Sequence, residues 1–194
     1  MKIRAPVILH VFSTFARGGP QLRTIEIIKR LGEAYRHKIV AMDACFDAQS
    51  LLAGADNVEM LPPPDQSRHF LSRLTRYKSW LQRQSFDLLA TYNWGAIEIA
   101  AAHALLRNRP HIHHEEGFGP DERDKRHLRR NFFRRLVLKS AAAVIVPSAN
   151  LQDIAKVSWG VGSDKLLLIE NGIDVSDFAV QPDVELLGLK KEEG

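Results

Sequence analysis

Apolar residues collect along this chain in short runs separated by segments of helical periodicity. Runs of strand length fall at 7–12, 37–42, 58–61, 86–91, 111–114, 143–147 and 166–169. Between them the spacing changes from two residues to three or four. Leu22, Ile25, Ile28 and Leu31 recur at three-residue steps, with Glu26, Lys29 and Arg30 on the other side. Phe70, Leu74, Tyr77 and Leu81 repeat the pattern, as do Ile97, Ala101, Ala104 and Leu105, and then Leu128, Phe132, Leu136 and Val137. Each set marks the stripe an amphipathic helix lays against a core. Strands alternating with helices predict βαβ units. The expected fold is therefore α/β, a doubly wound, Rossmann-like parallel sheet of about seven strands with helices on both faces. The domain runs over 1–174. Residues 175–194, with a short helix near 183–187, read as a linker or tail.

Ligands on such sheets bind at the carboxyl ends of the strands, here residues 13–20, 92–96, 113–120, 147–150 and 170–174. Composition, 45% apolar and 26% charged over 194 residues, is that of an ordinary globular domain. The run at 7–12 is too short and polar for the core of a signal peptide, and no run of eighteen apolar residues exists to span a membrane. The single Cys45 excludes an internal disulfide and reads as a buried structural thiol in a strand, in a reducing cytoplasm. Net charge is +4, but between Asp121 and Lys139 eight Lys/Arg face three acids, a local +5 that leaves −1 for the rest. One segment carries the basicity, which points to a local anionic partner and away from general nucleic-acid affinity.

Five stretches carry candidate chemistry. In GGPQ (18–21), Pro20 suits the first turn of a helix. Gly18 and Gly19 leave the backbone open to a ligand, whose negative charge the helix terminus would favour. Neither GxGxxG nor GK[ST] is present. The strand end HIHHEEGFGP (111–120) places His111 and His113 on one face and His114 and Glu116 on the other. It fits a metal site, a polar substrate pocket or a polar strand end satisfied by its own neighbours, with Gly117 and Gly119 free to bend the loop. In TYNW (91–94), Asn93 and Trp94 suit sugar recognition, or a helix cap beside a buried ring. Two basic amphipathic stretches, 68–81 and 123–139, suit an anionic membrane surface or acceptor. Ser148 reads as the cap of a further helix.

Taken in order, these motifs resemble the N-terminal half of a family 4 glycosyltransferase of two-domain GT-B architecture. GGPQ stands where that family has Gly-Gly-x-Glu, and HHEEG (113–117) where it has Glu-His-Gly. VIVPS (144–148) and IENGIDVSDF (169–178) match its last strands. Gln21 replaces the usual glutamate, and Glu116 occupies the place of the loop histidine. The resemblance covers residues 5–190.

The resemblance implies a retaining transfer of sugar from a nucleotide-sugar donor to a saccharide or lipid-linked acceptor. No metal or cofactor is implied; the nucleotide sugar is the co-substrate. Gly18, Gly19, Asn171 and Gly172 would face the donor. His113, His114 or Glu116 would act on the reacting sugar. Asn93, Trp94, Arg126, Arg129 and Arg130 would bind the acceptor. In the family a second domain holds most nucleotide contacts, so this domain alone is expected to be inactive. The expected location is cytoplasmic, peripheral at the inner face of the membrane, with no nucleic-acid partner. Two alternatives stand beside this: a non-catalytic Rossmann-like binding module, and a metal-dependent hydrolase using the His-rich strand end.

Overall fold

The computed structural model describes residues 4–106, 108–118 and 127–172. Seven strands lie among them: β1 (Val7–Phe12), β2 (Arg36–Ala41), β3 (Val58–Leu61), β4 (Leu88–Tyr92), β5 (His111–His114), β6 (Ala143–Val146) and β7 (Leu166–Leu168). All pair in parallel, in the order β3-β2-β1-β4-β5-β6-β7. The helices are α1 (Gly19–Leu31), α2 (Phe70–Arg83), α3 (Ile97–Ala104), α4 (Leu128–Leu138) and α5 (Ala149–Val157). The chain starts at β1 in mid-sheet, winds out to β3, returns to β4 and winds the other way. The winding therefore reverses between β1 and β4, the place where open α/β sheets leave a crevice.

Both faces of β1 are covered, which is why its sequence is apolar at every position but His10. Val7, Leu9 and Val11 pack with Tyr77 and Leu81 of α2 and Ile99 of α3. Phe12 joins Ile25 and Ile28 of α1 on the opposite face. Farther along, Val144, Val146 and Leu166 meet α3, α4 and α5. The doubly wound sheet expected from the sequence is present, with α1 on one face and α2 to α5 on the other. Ser148 caps α5 as anticipated, accepting the Leu151 N–H at 3.3 Å. The linker or tail expected at 175–194, with its helix, lies outside the described residues.

Two expectations fail. Cys45 is not in a strand: β2 stops at Ala41 and the chain turns, with Ala44 at φ 61°. The thiol is only half-buried, in a loop whose Cys45 N–H donates to Asp43 Oδ1. The stripe on α4 is also reversed. Leu128, Phe132 and Leu136 are 84%, 63% and 51% exposed, and the buried side chains are Arg134, Val137 and Leu138. Smaller departures of the same kind place Leu22, Phe70 and Leu105 at the surface.

The orientation of α4 sets a direct comparison. Leu138→Ala is expected to cost about 2–5 kcal/mol, as deletions from a packed core do. Leu136→Ala, two residues away, should change stability by less than about 0.5 kcal/mol. Urea unfolding measures both, and equal losses would contradict this orientation.

Candidate functional site

Three loops converge above the carboxyl edge of the sheet. The first follows β1 and is tied down on both sides. Phe15 N–H donates to Cys45 O at 3.0 Å, and Asp43 N–H to Ser13 O at 3.1 Å. From α1, Gln21 Nε2 donates to Thr14 O at 2.8 Å. A glutamate at this position has no N–H to give, so the amide suits this loop. Gly18 is extended and Gly19 is exposed, with nothing within 4 Å of where a Cβ would stand. No side chain caps the first turn of α1.

The second and third loops lock to each other. Asn93 follows β4 at φ 56° and ψ −175°, a strained backbone conformation that otherwise belongs to glycine. Its N–H donates to His114 O at 2.8 Å, and its Oδ1 accepts the Glu116 N–H at 2.7 Å. Asn93 is thus neither a simple cap nor a free ligand group. Gly95 follows, where a Cβ would overlap Ser13; the first two loops touch because this residue has no side chain. Glu116 is held from α1 by Arg23 at 2.7 Å, with both side chains largely buried.

Behind Glu116, the Glu115 carboxylate meets Arg134 of α4 at 3.0 Å, and both side chains have no solvent exposure. The Arg134 guanidinium lies 5.0 Å from the Trp94 ring, 5.5 Å from Phe118 and 5.1 Å from Trp159. Aromatic faces are the one apolar surface that attracts a desolvated cation. Arg130, one turn earlier, sits 5.0 Å from the same Trp94 ring.

These groups wall a cavity of about 500 Å³. Ser13, Gly19 and Pro20 form one side; Asn93, Trp94 and Glu116 another; Arg130, Arg134 and Asn171 close it. Arg23 is paired with Glu116 and Arg134 with Glu115, so the arginines stand at the cavity already engaged with carboxylates and rings.

The histidines lie deeper. On the α2 to α5 face, Thr91 Oγ1 is 2.8 Å from both His111 Nε2 and His113 Nδ1. His113 Nε2 is 3.5 Å from Glu115, and the ring is wholly buried. On the α1 face, His114 stacks on Tyr92 at 4.7 Å, and Tyr92 stacks on Phe12 at 4.0 Å. His10 joins Tyr92 Oη at 2.9 Å to His37 at 3.0 Å. Burial, with neighbouring histidines, pushes His10 and His111 well below their ordinary range, and burial pushes His37 to about 4 and His114 to about 3. Among the described residues no three His, Cys, Asp or Glu side chains converge as a metal cage. The hydrolase alternative therefore has no site among them.

Of the residues singled out in the sequence, the structure brings Gly19, Asn93, Trp94, Glu116, Arg130 and Asn171 to the cavity. Gly18 stands just behind its wall. His113 and His114 do not line it: one is spent on Thr91 beneath the strand end, the other is stacked under Tyr92. Arg129 points to solvent, Gly172 does not line the cavity, and Arg126 and Gly119 lie outside the described residues. Sequence reasoning missed Arg23, Gly95, Glu115 and Arg134. Only the alternation of β5, which puts Glu115 on the side of His113, hints at one of them.

The family model for Glycosyltransferase Family 4 matches residues 17–177. No curated protein sequence matches the chain. Among solved structures, it is similar to Anabaena HepE, determined with UDP and glucose, at 19% identity and TM-score 0.67, covering 93% of this chain and 50% of that one. It is also similar to a glycosyltransferase from Rickettsia africae (12%, TM-score 0.66, 97% and 51%) and to sucrose-phosphate synthase from Thermosynechococcus elongatus (16%, TM-score 0.62, 95% and 53%). The chain spans about half the length of each. At these identities the likeness is one of fold.

The buried histidines predict how stability depends on pH. Unfolded, each titrates near 6.5; folded, each stays neutral until far lower pH. Between these values the unfolded chain binds more protons, so stability falls as pH falls. The loss begins near pH 6.5 and continues through about 4 for His37 and about 3 for His114. Each group removes at most about 1.4 kcal/mol per pH unit in its window. The urea midpoint should drop steadily from pH 7.5 to 4.5, and less steeply in His37→Gln. A flat profile would contradict the burial of these rings.

Proposed function

Because this chain belongs to glycosyltransferase family 4, we propose that it is the acceptor-side, N-terminal domain of a retaining enzyme. That enzyme transfers a sugar from a nucleotide-sugar donor to a saccharide or lipid-linked acceptor. The single observation that carries this reading is the cavity at the sheet's switch point, where the uncapped start of α1 faces Glu116 across a wall made by Arg130 and Arg134. Sugar transfer breaks the donor's bond between the anomeric carbon and the phosphate oxygen, and the electron pair leaves with the diphosphate. Positive groups aimed at that oxygen favour its departure. The Gly18–Gly19 backbone and Asn171 take the donor side, with Gly172 behind. Glu116, fixed by Arg23 and Asn93, is the member of the His113, His114 and Glu116 set that reaches the cavity, and it orients the acceptor hydroxyl. Asn93 and Trp94 shape the acceptor's seat. The domain needs no metal or cofactor of its own.

The same helix carries the second part of this reading. Leu128, Phe132 and Leu136 project outward from α4 beside the exposed Arg129, Arg135 and Lys139. Apolar and cationic side chains on one outward face suit a helix lying on an anionic bilayer, where each basic residue adds about 1 kcal/mol. The protein is thus read as cytoplasmic and peripheral. No described helix is long and apolar enough to cross a membrane.

Two experiments test this. The 194-residue chain, incubated with UDP- and GDP-sugars and a panel of saccharide and isoprenoid-linked acceptors, should form no product; turnover would overturn the reading of a domain inactive alone. It should sediment with phosphatidylglycerol vesicles and not with phosphatidylcholine vesicles, and Leu128→Ser/Phe132→Ser should weaken binding at least about tenfold, the effect of removing two apolar anchors. Equal binding to both vesicle types would overturn the membrane assignment.

A further inference from the structure

A second, smaller cavity opens between α2 and α3, of about 220 Å³, lined by Met42, Gln66, Arg73, Tyr77 and Glu98. It has less than half the volume of the main cavity. Trp94 and Gly95 line this cavity and the main one alike. The two hollows are therefore neighbours along the same sheet edge, divided by a loop that Gly95 lets settle against Ser13.

Its chemistry differs from that of the main cavity. Arg73 and Glu98 form a two-pronged ion pair. Arg73 Nη2 donates to Glu98 Oε1 at 2.6 Å and Nε to Oε2. Nη1 donates to Ser67 O at 2.9 Å and Arg68 O at 3.4 Å. A guanidinium has five N–H donors, so one remains, and each Glu98 oxygen has accepted only once from Arg73. The pair is partly exposed, at 22% and 31%. The hollow thus offers donor and acceptor capacity side by side with no net charge. A phosphate would find its cation already matched, and an apolar group would strip water from an ion pair. A neutral ligand that both gives and takes hydrogen bonds fits this hollow, and beside a site for the acceptor's reacting sugar the group of that kind is the acceptor's next sugar.

Building on the acceptor reading above, we propose that this cavity is a second saccharide subsite. The main cavity holds the reacting sugar of the acceptor, and the Arg73–Glu98 hollow holds the neutral pyranose next to it. The acceptor is then at least a disaccharide.

Saturation-transfer NMR and titration on the 194-residue chain test this, with methyl glycosides of glucose, galactose, mannose and N-acetylglucosamine and the corresponding disaccharides as probes. At least one disaccharide should bind about tenfold or more tighter than its methyl monosaccharide, the effect of one hydrogen bond to a charged group. Gln66→Trp, at the exposed rim, should fill the hollow and abolish that preference while monosaccharide affinity stays unchanged. Glu98→Gln, which keeps the shape, should reduce the preference as well. Circular dichroism confirms that both variants fold. Should monosaccharide and disaccharide bind alike, or should both variants keep the preference, the second subsite is wrong and the acceptor reading stands. Failure of every saccharide to bind overturns both.

Discussion

The Glu115–Arg134 ion pair is the constraint on which the site is built. Removing two charges from water costs several kcal/mol per ion, and their attraction offsets this only when geometry and surroundings are right. Here the surroundings are three aromatic rings, Trp94, Phe118 and Trp159, whose faces receive the guanidinium. Trp159 is itself anchored to α4 through Asn131 at 3.0 Å. The pair sits where β5, α4 and the loop after β4 meet, so it fixes the three relative to one another.

The same pair accounts for the orientation of α4. At 100° per residue, burying Arg134 carries Arg130, Val137 and Leu138 inward with it. It turns Phe132 and Leu136 by about 160° to the other side and Leu128 by about 120°. The apolar stripe therefore faces out because a cation faces in. A pattern reading ranks leucine and phenylalanine above arginine for burial and had no means of knowing that a carboxylate waited at the end of β5.

This marks how far the sequence was legible. Strands were clear where both faces are covered and apolar residues dominate the run, as in β1 and β6. Alternation along β5 also separated His111 and His113 from His114 and Glu116 correctly. The failures come from partners distant in sequence. His113 looked available because nothing nearby announced Thr91. Cys45 looked buried in a strand because an apolar run does not disclose that Asp43 and Ala44 turn the chain. Arg23 drew no notice in the sequence, although it reaches Glu116 ninety-three residues away at 2.7 Å. Backbone direction and local periodicity were readable; the polar contacts that decide which side chains reach the cavity were not.

Those contacts also give the cavity its direction. Glu116 is pinned from α1 by Arg23 and through its own N–H by Asn93, so its carboxylate is held where the two halves of the winding part. Cations stand on the α4 side and bare backbone on the α1 side. Gly95 matters as much as any charged group here, because the main hollow and the Arg73–Glu98 hollow share its wall. A side chain at residue 95 would force the β4 loop off Ser13. The two hollows would then separate, and a ligand could not lie across both. One missing Cβ and one buried ion pair together turn strand ends, which any sheet of this kind has, into a cleft with Arg130 and Arg134 at one end and the Arg73–Glu98 pair at the other.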